Sequence, residues 1–409
     1  MRNILLFLIL STLLNAIELK IASYNVENLF DMSYNGTEYK EYIPNRHNWT
    51  KSILNKKLTH ISEVICDIDA DIIGLQEIEN QNALELLQKS LKEYGCSYKY
   101  SAITHKPKSA IQIALLSKIP IQNSKDIVVT RAWGIRNILE TKFIVDGKSI
   151  YIFVNHWNSK KSSDNKRIQS ALALKKRLLL LPKNSEYILL GDFNANYNEY
   201  NIFNKLQTIR YCNMKHNIFS NYNLWLEEPI YRRWSHNFYG KKQGLDAILI
   251  PYSLFDGKGI DYINNSFKVF KKHYLFHQKG YILRWQYKRG EHQGIGYSDH
   301  LPIYALFSTR AYGKTNCKID ISTIKKLHNK NIKLPVLLKK VKVISKQKNK
   351  VILQKGKDII SIYGIDNSLL LNKIYDIIVY KRKLYQNSYE IVDFDIKRGY
   401  DATKNWSKK

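Results

Sequence analysis

The sequence predicts an α/β sandwich followed by a small β module, and three observations carry that expectation. Strand-like and helix-like segments alternate over residues 19–320, strands outnumber helices, and two apolar, β-rich runs flank Asp146-Gly147, a short-range hairpin signal. Many strands, few helices and hairpin connections argue against a doubly wound sheet.

Taken in order, Leu19 to Val26 alternates as a strand, while Leu54, Leu58, Ile61, Ile65 and Ile68 recur at steps of three and four on one helical face. Asp71 to Gln76 reads as a short buried strand, residues 80–94 as a second helix, and residues near 98–103 and 111–117 as strands. Residues 138–145 and 150–157 are the arms of the hairpin. Ile168 to Leu181 is helical and stops at Pro182; Tyr187–Leu190, Leu245–Ile250 and Leu301–Phe307 complete the strands. Beyond about residue 330, Val341–Ile344, Val351–Leu353, Ile359–Tyr363, Tyr375–Tyr380 and Tyr389–Phe394 are five short β-rich runs that suggest a small barrel.

A chain of 409 residues holds two or three domains on length alone, and 44% hydrophobic with 24% charged residues excludes wholesale disorder and a membrane-embedded bundle. The balance of 65 Lys and Arg against 35 Asp and Glu, net +30, exceeds what solubility requires and favours polyanionic partners. A lysine-, asparagine- and isoleucine-rich composition is the alternative source of that charge.

The first residues are set apart as a targeting segment. Arg2 is a positive start, Ile4 to Leu14 is apolar apart from Ser11 and Thr12, and Asn15-Ala16 ends in a small residue. This is signal-peptide anatomy over residues 1–16, too short for a comfortable span of about 20 residues, and it predicts a secreted or periplasmic chain without stable membrane insertion. Export permits disulfides. Cys66, Cys96, Cys212 and Cys317 allow three pairings, among which the sequence does not choose. None forms a CxxC or lies at zinc-ligand spacing from histidines, which disfavours a structural zinc site.

Chemistry-bearing side chains fall at strand ends. Asn25 closes the first strand, Glu77 follows the second in Gly-Leu-Gln-Glu, and His156 ends the hairpin in Val-Asn-His-Trp. Asp192 and Asn194 follow a strand in Leu-Gly-Asp-Phe-Asn, Asp246 opens one in Gly-Leu-Asp-Ala-Ile, and Asp299 and His300 precede the last in Tyr-Ser-Asp-His-Leu-Pro. Singly, such residues are caps and turn formers; together they sit where loops of a rigid sandwich converge.

The ordered series Asn25, Gln76-Glu77, Asn155-His156, Gly191-Asp192-Phe193-Asn194, Leu245-Asp246 and Ser298-Asp299-His300 resembles the endonuclease/exonuclease/phosphatase superfamily, over about residues 19–310. Asn-His-Trp-Asn-Ser-Lys at 155–160 and the segment Arg136 to Phe143 are most similar to secreted bacterial nucleases. The resemblance implies a four-layer α/β sandwich, two packed β-sheets flanked by helices, spanning residues 17–320. A small basic OB-like β-barrel domain over residues 331–409 completes the expected architecture.

Phosphodiester hydrolysis needs a hard cation, an aligned water and a proton source. Carboxylate and amide oxygens suit Mg2+, with Ca2+ or Mn2+ as alternatives, so Glu77, Asn25 and Asp299 are the expected metal set. Asp192 is expected to orient or deprotonate the water and Asn194 to hydrogen-bond the phosphate. Asp246 and His300 form an orienting pair, and His156 is the second imidazole. In deoxyribonuclease-like relatives the first histidine has a carboxylate partner. Here no acidic residue stands in residues 101–118, where Gln112 is found instead. Glu140 lies on the face of His156 if the hairpin turn has three residues and on the other face if it has two.

Arg136 matches a phosphate-contacting arginine, and Tyr231-Arg232-Arg233-Trp234 is basic and aromatic like a loop gripping a polynucleotide, which makes Arg233 and Trp234 substrate-binding candidates. Lys271, Lys272, Tyr274, Lys279, Arg284, Trp285, Lys288 and Arg289 add to this just before Ser298-Asp299-His300. From Asn331 on, 18 Lys and Arg face 7 Asp and Glu, a net of +11, and the OB-like pattern suits single strands. The expectation is a secreted, monomeric, divalent-metal-dependent nuclease, with DNA as the leading substrate and little sequence preference. Alternatives are a sphingomyelinase or cytolethal-distending-type phosphodiesterase and a non-catalytic nucleic-acid-binding protein.

Overall fold

Inward-facing residues at alternate positions of two β-sheets build the centre of the first of two compact units, Met1–Thr315 and Asn316–Lys409, in the computed structural model. The described residues are 16–131, 134–208, 220–228, 230–310, 319–332, 334–347, 349–363 and 369–400. The expected signal segment, apart from Ala16, and Cys212 and Cys317 lie outside them.

The first unit runs β1 (Glu18–Leu29), α1 (Lys51–Ile68), β2 (Ile72–Ile78), α2 (Gln81–Tyr94), β3 (Tyr100–Ile103), β4 (Gln112–Ser117) and β5 (Asn123–Ile127). It continues through β6 (Ile138–Val145), β7 (Lys148–His156), α3 (Asp164–Leu178), β8 (Glu186–Asp192), a one-turn α4 (Tyr200–Phe203) and β9 (Asn221–Asn223). Then come β10 (His236–Phe238), β11 (Lys241–Gln243), β12 (Asp246–Pro251), β13 (Asp261–Tyr262), β14 (Lys268–Val269), β15 (Tyr287–Lys288), β16 (Glu291–His292) and β17 (Ile303–Ser308). One sheet has the order β13-β17-β1-β2-β4-β3, with β14 also on β17; the other is β5-β6-β7-β8-β12-β9. Each holds a parallel pair, β1 with β2 and β7 with β8, among antiparallel neighbours.

The period of two decides which residues meet between the sheets. Leu19 and Ile21 of β1, Ile72 of β2, Ile188 and Leu190 of β8, and Ile303 and Ala305 of β17 share that core. Ala22, Tyr24 and Val26 of β1 instead pack with the apolar faces of α1 and α2. A Cβ on Gly74 would come within 2.5 Å of Leu190 and 2.7 Å of Val154, so only glycine allows the sheets this approach. Thr50 caps α1 by accepting from Ile53 N–H, Asn80 caps α2 by accepting from Ala83 N–H, and left-handed Asp69 and Gly95 end these helices. Cys66 of α1 and Cys96 just past α2 form a disulfide with Cα atoms 5.6 Å apart.

Asp146 and Gly147 both take positive φ, 51° and 71°, and Val145 pairs with Lys148, so the hairpin turn has two residues. Glu140 consequently pairs with Phe153, points to the outer face, and is gripped by Arg177 of α3 at 2.6 and 2.8 Å. The helix expected over Ile168–Leu181 starts four residues earlier, at Asp164.

The second unit comprises β18 (Asp320–Ser322), α5 (Ile324–Leu327), β19 (Val336–Gln347), β20 (Lys350–Lys355), β21 (Asp358–Tyr363), β22 (Ile374–Tyr385) and β23 (Ser388–Tyr400). The ladder β19-β20-β21-β23-β22 returns through β22 to β19 and closes a five-stranded barrel around Val341, Leu353, Ile362, Ile377 and Ile391. β18 adds in parallel to β19, so this unit starts well before residue 331.

Candidate active site

The C-terminal ends of both parallel pairs and the N-terminal ends of β12 and β17 converge on one edge of the sandwich. Asn25, His156, Asp192 and Asp246 continue the inward-facing alternation of their strands, so the stripe that is apolar within the core becomes polar where the sheets open. The Asn25 Nδ2 crosses between the sheets, donating to Glu77 Oε1 at 3.1 Å and to Asp192 Oδ2 at 3.3 Å. Glu77 sits at φ 69° where the ladder to β4 skips a residue, a bulge that turns its carboxylate to the site. Gly191 permits the adjoining turn: at φ +129°, a Cβ there would lie 2.0 Å from the Asn155 carbonyl oxygen.

Asp192 is buried, and its oxygens accept from Asn194 N–H at 2.8 Å and Asn194 Nδ2 at 3.0 Å. The same Asn194 amide donates to the Trp157 carbonyl at 3.0 Å. His300 Nδ1 lies 2.8 Å from Asp246 Oδ2, leaving Nε2 3.9 Å from Asp192 Oδ2. His156 Nε2 lies 3.7 Å from Glu77 Oε1 and 3.6 Å from Asp192 Oδ2. Its Nδ1 is buried with no hydrogen-bond partner among the described residues. Neither Glu140 nor Gln112 serves it: Gln112 holds its own loop through Thr104, Lys106 and Ser109.

Burial raises the Glu77 carboxyl, and the Asp299 charge adds to this against the Asn25 hydrogen bond. Burial brings Asp192 up to about 7, with Asp246 adding and His300 opposing. Burial opposes the charged form of His300, yet Asp246 and Asp192 outweigh it and hold the imidazole protonated well above its usual range. His156 goes the other way, pushed well down by burial and then by Arg136 and His300, and is neutral. Asp299 is kept ionised despite burial by His236, His300 and Arg284. One edge therefore holds a cationic and a neutral imidazole, with a carboxylate near neutrality between them.

Of the expected metal set, Asn25 turns its nitrogen to Glu77 while its oxygen accepts from Glu27 N–H at 3.0 Å. Among the described residues, the acidic and imidazole groups whose ligand atoms lie within 4.8 Å of one another are His236, Asp299 and His300, and Asp192, Asp246 and His300, sets that could hold a divalent cation. Asn25 and Glu77 are in contact, whereas the Asp299 carboxylate faces His236 at 3.8 Å and Arg284 at 3.6 Å.

The substrate candidates separate. Arg136 borders the site and donates to the carbonyls of His156 at 3.1 Å and Trp157 at 3.0 Å, fixing the end of β7. Arg233 is not presented to a ligand: it is buried, bonded to the carbonyls of Glu228 and Leu226, and lies over the Tyr197 ring. Trp234 is buried as well, with Lys242 and Lys271 over its ring at 4.6 and 4.0 Å.

Several residues at the site escaped the sequence reading. Ser235 donates to Asp246 Oδ2, and His236 packs its ring 4.8 Å from that of His300. Buried Lys57 donates to the carbonyls of Val26 at 2.7 Å and Tyr297 at 2.9 Å, tying the end of β1 to the loop before Asp299. Glu27 receives Arg284 and the Trp285 N–H. Proximity of Glu27 to Asn25, and of Ser235-His236 to the Tyr231–Trp234 run, was the available signal.

The sandwich with this cluster at one edge is a nuclease-like phosphodiesterase fold. The chain belongs to the Endonuclease/Exonuclease/phosphatase family, whose model matches residues 20–309, and members of that superfamily are generally metal-dependent phosphodiesterases. No curated protein sequence matches the chain. Among solved structures, it is similar to humanized Danio rerio TDP2 (14% identity, TM-score 0.48), covering 71% of this chain and 98% of that one. It is also similar to a family protein from Bacteroides thetaiotaomicron (13%, TM-score 0.47, 72% and 98%) and one from Leptotrichia buccalis (15%, TM-score 0.44, 70% and 98%).

Proposed function

We propose that the chain is a secreted, divalent-metal-dependent nuclease that hydrolyses phosphodiester bonds of nucleic acid, with DNA its principal substrate. The observation that carries the reading is the Asn25 amide bridging Glu77 and Asp192 across the two sheets, beside the Asp246–His300 pair. Glu77, with Asn25 and Asp299, would hold a divalent cation, Mg2+ first, which would supply charge neutralisation for a non-bridging phosphoryl oxygen. Asp192, fixed by both nitrogens of Asn194, orients a water and takes its proton; a carboxyl near 7 is suited to that at neutral pH. Protonated His300 donates through Nε2 to the phosphoryl group, with Asp246 holding the ring by Nδ1. His156 presents Nε2 to the same space from the β7 side.

The net charge of +30 supports a polyanionic substrate. The Cys66–Cys96 disulfide supports export, since such bonds persist in oxidising compartments. No helix of the described residues is long and apolar enough to cross a membrane. The test is incubation of purified protein with plasmid DNA, RNA and sphingomyelin, each with Mg2+, Ca2+ or chelator. Metal-dependent cleavage of DNA is expected. Cleavage of sphingomyelin alone would replace the reading, and no cleavage of any substrate would end it.

A further inference from the structure

We infer that the β10–β11 hairpin and the segment Tyr281–Lys288 form a subsite that takes an unstacked nucleobase beside the reacting phosphate, so that single strands are preferred; this rests on the nuclease reading. Phe238 pairs with Lys241 across a two-residue turn in which Tyr239 and Gly240 both have positive φ, 46° and 79°. That turn puts two large rings in water: Phe238 is 52% and Tyr239 93% exposed, with ring centroids 4.5 Å apart and nearly perpendicular. Phe238 also lies nearly parallel to His236, 16° between planes. Rings this exposed gain nothing for the fold, but both offer a face to a flat aromatic group.

The hairpin is anchored to the catalytic cluster. His236 bridges to His300 and faces Asp299, Ser235 holds Asp246, and Leu301 N–H donates to the Ser235 carbonyl at 2.7 Å. A cavity of about 550 Å³ lies between the hairpin and Tyr281–Lys288, with Asp299 in its wall. Its opposite side carries half-exposed Tyr281, backed by a parallel His277 ring at 4.5 Å, and the cations Arg284 and Lys288. Aromatic faces and guanidinium or ammonium groups within one cleft, continuous with a phosphodiesterase centre, match a base and its adjoining phosphates. A base inside a duplex cannot reach them without being unstacked, whereas a single strand offers its bases freely.

The test compares a twelve-residue oligothymidylate with the equally charged twelve-residue abasic (tetrahydrofuran) phosphodiester, under Mg2+. Wild-type protein should cleave the oligothymidylate with kcat/KM higher by roughly ten- to a hundred-fold, the range expected for one stacked base. Phe238→Ala with Tyr239→Ala should bring the oligothymidylate down to the abasic rate, and Phe238→Leu, which keeps apolar bulk, should move it in the same direction. Equal cleavage of both polymers by wild-type protein, or an undiminished preference in the variants, overturns the subsite and leaves the nuclease reading standing. Cleavage of neither polymer overturns both. Binding of phosphatidylserine vesicles that is lost in the double variant, with no base preference, would assign the hairpin to a membrane surface and overturn the subsite.

Discussion

His300 Nδ1 sits 2.8 Å from Asp246 Oδ2, and that same carboxylate oxygen also receives the Ser235 hydroxyl. The imidazole is thus held by one atom that is itself held, which fixes its plane and directs Nε2 toward Asp192. If the pair works as a unit, His300→Ala, Asp246→Ala and the double variant should show similar residual cleavage rates. Rates that multiply in the double variant would mean that the two act separately.

Glu77 and Asp192 share the Asn25 amide yet have different expected duties, one toward the metal and one toward water. Glu77→Gln and Asp192→Asn should each lower kcat by roughly two to four orders of magnitude, with the circular dichroism spectrum unchanged. Isosteric amides keep the hydrogen-bonding volume, so a near-wild-type rate in either would remove that carboxylate from the chemistry.

The disulfide closes a chain separation of 30 residues between α1 and the end of α2. Replacing both Cys66 and Cys96 by Ser should cost about 3 to 4 kcal/mol of stability through the freed unfolded chain. Urea unfolding of the wild type with and without reductant reads the same quantity, and coincident curves would show that the bond contributes nothing.

Glu186 offers a pH signature remote from the active cluster. Its Oε1 accepts from Ile260 N–H at 2.9 Å while Oε2 is buried without a hydrogen-bond partner among the described residues, and burial raises its carboxyl to about 7. The folded state therefore holds a proton that the unfolded chain releases near 4.5, so this group's contribution to stability declines as pH rises from about 4.5 to 7. Glu186→Gln keeps the acceptor and carries no charge. It should raise the melting temperature at pH 8 more than at pH 5; an equal change at both would show that Glu186 does not titrate in that range.

Asn25, His156, Asp192 and Asp246 were legible as candidates because each sits where a period-two stripe runs out of the core, as Ile188, Leu190 and Asp192 do along β8. What the sequence left open was decided by geometry of one or two residues. Positive φ at both Asp146 and Gly147 selected the two-residue turn, which sent Glu140 to Arg177 and away from His156. Arg233 looked like a ligand-gripping cation, but the direction of a guanidinium depends on which carbonyls fold beside it, and those of Leu226 and Glu228 are found only in three dimensions. His236 was invisible for a related reason: a three-residue strand has no periodicity to read. The barrel's closing pair, β19 with β22, likewise joins segments some forty residues apart.

The basic barrel should add affinity without adding chemistry. Every proposed catalytic residue lies at or before His300, and each unit has its own apolar core, so a chain ending at Thr315 is expected to fold and to cleave saturating DNA at the full-length rate. Residues 316–409 carry 22 Lys and Arg against 8 Asp and Glu, a net of +14. Each phosphate neutralised adds roughly 0.7 to 0.9 to the slope of log affinity against log salt, so the shortened chain should bind more weakly and with a shallower slope. Only some of those cations can touch one strand at a time, which sets the expected change at a few units. Binding of a labelled oligonucleotide between 50 and 200 mM salt measures it. An unchanged slope would make the barrel a structural module or a site for another partner, and a folded but inactive Thr315-terminated chain would show that the barrel completes the active site.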